Sequence, residues 1–249
     1  MFVRRLTKWQ FSLRTFLAIC ILIGIYLGVA IPRAQQQKKA ADWVRSFGRT
    51  PYYSYQFDPN GNYTKTHKPW GPNWFRELLG IDFFYAIRMV HLDDKHVGDI
   101  SNISKLHGLK HLEVASCSLT SIEPLSELKS LEVLSINENR ISDLTPLRNC
   151  RHLHLLSASS NASISDISVV KSLPNLRVLY IDGTDVSDLA PLHNHRALEY
   201  LNISVTQVKS LEPLKSIKTL KTLKASSHSI TDEEIANLQA AFPNLSVER

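Results

Sequence analysis

The stretch LEVLSINENRISDLTPL, residues 131–147, places apolar side chains at Leu131, Leu134, Ile136, Ile141, Leu144 and Leu147. It alternates too briefly to be one long strand and does not keep a helical stripe to its end. The same order returns in LRVLYIDGTDVSDLAPL, residues 176–192, and stands 22 residues earlier in LKHLEVASCSLTSIEPL, residues 109–125. Units begin at Ile87, Leu109, Leu131, Leu153, Leu176, Leu198 and Leu220, at a spacing of 22 residues with a single step of 23. The extra residue falls in NASISDI, near Ser163. A last, longer unit reaches Pro243, and Leu245 and Val247 read as the start of an eighth strand. A fixed period of this length marks stacked units that cannot bury their apolar faces alone.

Within a unit, L-x-x-L-x-[LIV] is a short strand whose second and third apolar residues point inward. These pairs are Val90/Leu92, Leu112/Val114, Leu134/Ile136, Leu156/Ala158, Leu179/Ile181, Leu201/Ile203 and Leu223/Ala225. Parallel stacking predicts a sheet spanning about 30 Å. The turn that follows suits Asn, whose amide bonds turn backbone. Asn139 and Asn161 fill that slot, Thr184 and Thr206 replace Asn, and Lys95, Cys117 and His228 depart from it. The return segment I-x-D-L-x-P-L points Ile141, Leu144 and Leu147 inward, and Pro146 fixes φ in a tight turn. Asp143 and Asp188 recur with the period and are expected to cap those turns rather than to catalyse.

These residues resemble the leucine-rich repeats of bacterial internalins, from Ile87 to the end of the chain. The resemblance implies a curved solenoid with parallel strands on its concave face and short 3-10 or irregular turns on its convex face. The fold class expected is therefore α/β, with an N-terminal hairpin and helix cap and a C-terminal helix cap. The apolar N-terminal run, the segment RELLGIDFF and the repeats together are similar to membrane-associated repeat proteins of planctomycete-type bacteria, which implies no defined activity.

The chain holds 29 Lys and Arg against 23 Asp and Glu. Residues 1–50 contain nine of the bases and one of the acids, so the rest holds 20 and 22. The basic balance thus belongs to the N-terminus, and the repeats carry no excess with which to meet nucleic-acid phosphates. Three cysteines, Cys20, Cys117 and Cys150, do not make a disulfide scaffold. Cys117 and Cys150 occupy different positions of their units and are not expected to pair.

Residues 16–31, FLAICILIGIYLGVAI, carry no charge and precede Pro32. Sixteen residues lie at the short edge of a membrane span. Trp9 and Tyr26 suit interfacial positions, and Arg14 can snorkel. The small residues Gly28, Val29 and Ala30 allow a cleaved signal peptide, but no polar stretch precedes them, which favours an uncleaved signal-anchor. The expected organisation is a basic tail over 1–15, a membrane signal-anchor over 16–32, a stalk over 33–50, a cap over 51–86 and the repeat domain over 87–249. In the cap, Tyr52 to Phe57 and Tyr63 to Thr66 predict a hairpin about Asp58-Pro59-Asn60-Gly61, and Trp74, Phe75, Leu78 and Leu79 form the apolar face of a helix stopped by Gly80. Such a cap is expected to cover the open first layer of the array. At the other end, Thr231 and Glu234 form a capping box for a helix whose Ile235, Leu238, Ala241 and Phe242 face inward.

Three rows of side chains face out of the concave sheet. The row before the inward pair contains Val133, Leu155, Val178 and Tyr200; the row within it contains Glu113, Tyr180 and Asn202; the row after it contains Asp182. Repeat architectures use this surface for binding, so the candidate partner-binding residues are Tyr180, Tyr200, Asp182, Asn202, Leu155 and Glu113. His91, Glu113, Asp93 and His111 form a corner that an enzyme or metal reading would use. His152/His154 and His193/His195 are H-x-H pairs expected in convex or loop positions of non-adjacent repeats, on the surface. There is no G-x-S-x-G, phosphate-binding glycine loop or H-E-x-x-H, so no cofactor, metal site or small-molecule substrate is expected. The sequence thus predicts a non-catalytic recognition module with a protein or cell-envelope partner, anchored by residues 16–32 in a bacterial inner membrane with the repeats outside the cytoplasm. A self-associating structural envelope protein is the other non-enzymatic reading.

Overall fold

A computed structural model describes residues 13–65, 67–94, 96–226 and 229–249. Residues 1–12 with Trp9, and Thr66, Lys95 and His228 in the readings above, lie outside them.

The 22-residue period becomes one strand and one convex 3-10 turn per unit. Nine strands form one sheet in chain order: β1 (Tyr52–Tyr53), β2 (Ile87–Leu92), β3 (His111–Val114), β4 (Val133–Ser135), β5 (Leu155–Ser157), β6 (Val178–Tyr180), β7 (Tyr200–Asn202), β8 (Thr222–Lys224) and β9 (Ser246–Glu248). β2 to β9 run parallel, and equivalent residues face each other, as Leu134 faces Leu156. A three-residue strand buries too little to persist alone, so every inward pair from Val90/Leu92 to Leu223/Ala225 shares one aliphatic spine.

The turn after each of β3 to β7 is fixed by a left-handed residue at the same position. Ser116, Glu138, Ser160, Gly183 and Val205 have φ of 54°, 55°, 57°, 66° and 54°. Each donates its N–H to the carbonyl of the next unit, namely Asn137, Ser159, Asp182, Ser204 and Ser226, at 2.8–3.0 Å. One residue further on lies the Asn slot. Asn139 Oδ1 accepts from the N–H groups of Cys117 and Leu119 in the preceding unit, both at 3.0 Å, while its Nδ2 donates to three carbonyls. Asn161 does the same for Ile141 N–H and the carbonyls of Ile136, Ala158 and Ser159. The slot therefore joins two units rather than closing a turn within one. The Thr184 and Thr206 hydroxyls donate back to the carbonyl three residues before, and the Cys117 thiol reaches Leu92 and Ala115 carbonyls. The extra residue of the fourth unit is absorbed between Asn161 and Ile164, whose N–H bonds the Asn161 carbonyl at 3.0 Å.

On the convex side, Asp143 accepts from Thr145 N–H at 2.8 Å and Asp188 from Ala190 N–H at 2.8 Å. Asp99 and Asp166 repeat the arrangement. These aspartates are turn caps, as their recurrence implied. Cys117 and Cys150 are buried free thiols, and burial pushes the Cys150 thiol up to about 11.

The N-terminal end departs from the sequence reading. The anchor and the stalk are one helix, α1 (Leu13–Ser46), which continues through Pro32. Proline removes a helical hydrogen bond there, and the distal part is held instead by docking: Gln37, Ala40, Ala41 and Val44 are buried in the core of the first repeat. Gln37 Nε2 donates to the Tyr85 carbonyl at 2.7 Å and its Oε1 accepts from Ile87 N–H at 3.2 Å. The expected hairpin shrinks to one antiparallel bridge, Phe57 to Tyr63, because Tyr52 and Tyr53 pair instead with Met89 and Ile87 as the edge of the main sheet. α2 (Asn73–Leu79) ends at Gly80, whose φ of 80° suits glycine, and α3 (Ile81–Phe84) follows. The Trp74 and Leu78 side chains point away from the array and are exposed, so capping falls to α1, Tyr53 and the residues around Ile81 and Tyr85.

At the C-terminus, α4 (Asp232–Ala241) starts with Thr231 Oγ1 accepting from Glu234 N–H at 3.2 Å. The other half of the box is redirected: the Glu234 carboxylate accepts from Leu211 N–H at 2.8 Å, tying the helix to the preceding unit. Ile235 and Leu238 are buried and Phe242 partly so, whereas Ala241 is exposed.

Two stability predictions follow from the turns. Asn161→Ala takes their side-chain partner from the buried Ile141 N–H and the Ala158 carbonyl, while the Ile136 and Ser159 carbonyls keep bonds from Asn139 Nδ2 and Glu138 N–H, and should lower stability by about 2–3 kcal/mol, read as a shift in urea midpoint. Val205 is β-branched, left-handed and 70% exposed; Val205→Asn should raise stability by about 1 kcal/mol in the same assay, since Asn tolerates this backbone.

Candidate functional site

The strands hold the three concave rows at a fixed register. Val133, Leu155, Val178 and Tyr200 are successive neighbours, and Ser157, Tyr180 and Asn202 follow in the next row. Tyr180 and Tyr200 are diagonal neighbours, with ring centroids 4.9 Å apart and planes inclined by 42°. Diagonal residues on adjacent strands come within reach when their side chains are aromatic. Val133, Leu155, Val178 and the two tyrosines are each partly exposed and together form a continuous apolar strip.

A polar ladder runs beside this strip. Asn137 Oδ1 accepts from the Ser157 hydroxyl at 2.7 Å and Ser159 N–H at 2.9 Å. Asp182 Oδ1 accepts from the Ser159 hydroxyl at 2.7 Å and from Asn202 Nδ2 at 2.8 Å. Asn202 Oδ1 accepts from Ser204 N–H, and Ser204 Oγ from Ser226 N–H. Of the candidate residues, Asn202 is thus buried and committed to the ladder, where it positions Asp182, whereas Asp182 keeps a partly exposed carboxylate. Glu113 lies three strands from Tyr180. Its carboxylate meets His91 Nδ1 at 2.6 Å, so the structure does not bring it into the tyrosine cluster. Asp93 is held by Arg49, and His111 turns toward Glu132 and His154. Burial lowers the His111 pKa, against the opposing charge of Glu132. Among the described residues no group of three His, Cys, Asp or Glu side chains could hold a metal.

The sequence reading missed a fourth row, at the residue after each repeat start: Arg88, Lys110, Glu132, His154, Arg177, Glu199 and Lys221. Lys110 pairs with Glu132, Glu199 with Lys221 at 2.5 Å, and Arg177 lies 3.9 Å from Glu199. Opposite charges one period apart were the signal available for it. At its N-terminal end, Arg88 stacks over the Phe57 ring, 5.3 Å from the centroid, and a concavity opens between Phe57, Asn60, Arg88, His111, Glu132 and His154. His154 therefore flanks a strand rather than the convex side. His195 is a second correction: it occupies the convex aliphatic column one period after Leu173, whose carbonyl meets its Nε2 at 3.1 Å, and burial lowers its pKa.

The tyrosine pair makes a spectroscopic prediction. Burial, followed by the neighbouring Tyr180, raises the Tyr200 pKa above the ordinary 10.0. Tyr180→Phe should bring the Tyr200 transition to lower pH in an ultraviolet-difference titration.

Residues 107–149 match the family model for leucine-rich repeats (two copies). No curated protein sequence matches the chain. Among solved structures, internalin C2 of Listeria monocytogenes is 27% identical with a TM-score of 0.54, over 56% of this chain and 61% of that one. The internalin inlF of the same organism is 24% identical with a TM-score of 0.53, over 65% of this chain and 54% of that one. A leucine-rich-repeat protein of Leptospira interrogans is 19% identical with a TM-score of 0.51, over 60% of this chain and 45% of that one. The chain thus spans between 45% and 61% of the length of these structures. The parallel register, the shared spine and the inter-unit turn bonds give the repeat array of this chain a leucine-rich-repeat solenoid fold, similar to that of these internalin structures.

Proposed function

We propose that the chain is a non-catalytic recognition module, held at a bacterial inner membrane by the apolar part of α1, that binds a protein of the cell envelope on its concave face. The observation that carries this reading is the strip of Val133, Leu155, Val178, Tyr180 and Tyr200, a contiguous apolar and aromatic surface on a rigid sheet. Aromatic anchors in such a setting supply much of the affinity in protein interfaces, and their fixed backbone leaves little to be ordered on binding. The Asp182 carboxylate at the edge of the strip would select the partner's polar groups. The internalin-like geometry supports a protein-interaction role. α1 is long enough to cross a bilayer, with a mean hydropathy of 2.4 in its most apolar window and none of that window buried. In this reading the repeats lie outside the cytoplasm.

Capture by a photo-crosslinker placed at Val178 in the full chain, in intact cells, should yield a defined protein adduct. Tyr180→Ala and Tyr200→Ala should each weaken binding of that protein at least about tenfold, with an unchanged thermal melt. Binding unaffected by both substitutions would reject the concave strip as the site. Protease accessibility of the repeats in spheroplasts checks the orientation.

A further inference from the structure

Three large apolar side chains outside the concave face stay mostly exposed: Trp70 is 77%, Trp74 64% and Leu78 71% exposed, although one side of the Trp74 ring meets Phe75 with centroids 5.3 Å apart. They are not on a loose loop. Arg76 donates to the carbonyls of Pro69 at 2.6 Å and Gly71 at 2.5 Å, and Trp70 N–H donates to the Tyr85 hydroxyl at 2.5 Å. Trp74 and Leu78, four residues apart on α2, share one helix face. The segment that carries them is fastened to α1: Phe83 meets Tyr26 edge-on at 6.4 Å, and Ile31, Ala34 and Lys38 line one groove with Leu78, Leu79 and Phe83. Leu78 therefore lies beside α1 where its uncharged run ends, near Ile31, and Trp74 stands one turn earlier on the same face of α2.

We infer that Trp70, Trp74 and Leu78 form a collar immersed in the headgroup region of the bilayer that α1 crosses, so that the solenoid is seated on the membrane rather than tethered above it. This rests on the membrane-anchor reading above. Three physical arguments choose lipid as the occupant. Tryptophan concentrates at the membrane interface, where its ring is half in apolar and half in polar surroundings. The uncharged run of residues 16–31 is about 24 Å long as a helix, short of the ~30 Å hydrocarbon core; with Arg14 pinning one end, the deficit draws the other end and its collar toward the acyl chains. The bases that follow the run on α1, Arg33, Lys38 and Lys39, are exposed and match anionic headgroups, with Glu77 the exposed acid on α2. Gln37 and the Arg45–Tyr53–Asp82 chain of hydrogen bonds, at 3.0 Å each, lock α1 to the cap, so immersion of the collar fixes the height of the first repeat.

The test uses the full chain carrying Trp9→Phe and Trp43→Phe, which leaves Trp70 and Trp74 as the only tryptophans, reconstituted in phosphatidylcholine vesicles with a minority of phosphatidylglycerol. Lipids brominated near the headgroup end of the acyl chain should quench the emission, and lipids brominated near the terminal methyl should not, while the chain stays with the vesicles in alkaline carbonate. Retention with unquenched tryptophans would overturn the collar and leave the anchor standing. Release by carbonate would remove the anchor and the collar together. Unquenched emission with crosslinking between copies through Leu78→Cys, in a Cys20→Ser background, would assign this face to a second copy and overturn the lipid assignment.

Discussion

The solenoid depends on the sharing of backbone hydrogen bonds between units. A strand of three residues and a turn of four cannot satisfy their own N–H and carbonyl groups, and a buried group left unpaired is costly. Here each strand bonds the next, each left-handed turn residue donates to the following unit, and Asn139 and Asn161 reach back to the unit before. The aliphatic spine then comes into register as a consequence, since the side chains of residues one period apart must stack. Where the Asn slot holds Thr184 or Thr206, the hydroxyl donates to the carbonyl three residues before, and Gly183 and Val205 still donate to the next unit.

An array of this kind is open at both ends, and the two ends are closed differently. At the C-terminus a ten-residue helix lays Ile235 and Leu238 over the last layer, and Glu234 bonds the preceding unit. At the N-terminus the closing element is the far half of the same helix that carries the apolar run. Alanines at 40 and 41 allow that helix to come close to the first repeat, and Gln37 supplies the bonds that the first strand's end and the Asp82–Tyr85 segment need. The capping residues and the apolar run belong to one helix, which couples the placement of the repeats to that of the run.

The concave surface combines two components with different jobs. The polar ladder from Asn137 to Ser226 is internally satisfied and holds the strand ends, so its residues set the shape of the face more than they offer contacts. The tyrosine strip beside it is left uncovered. The separation is a product of pleating: alternate residues of one strand serve the core, and those between them serve the surface, so the surface can vary without disturbing the spine.

The period, the inward pairs, the aspartate caps, the eighth strand and the C-terminal helix were legible in the sequence, because each is a local pattern multiplied by repetition. That Tyr180 and Tyr200 share one patch followed from the register once the period was known; their tilted ring contact came only with the fold. Other features required the tertiary structure. Nothing in AQQQKKAADWV marks a helix that closes the array, since Ala40, Ala41 and Gln37 acquire meaning only against the first repeat. The hairpin gave way because Tyr52 and Tyr53 found better partners in β2 than in the chain beyond Gly61. Glu234 left its capping box, and Asn202 withdrew from the surface, because a polar group far away in sequence or one strand over was nearer than solvent. Sequence determines what recurs along the chain; which side chains meet across non-repeating elements is decided only when the chain is folded, since those contacts carry no period.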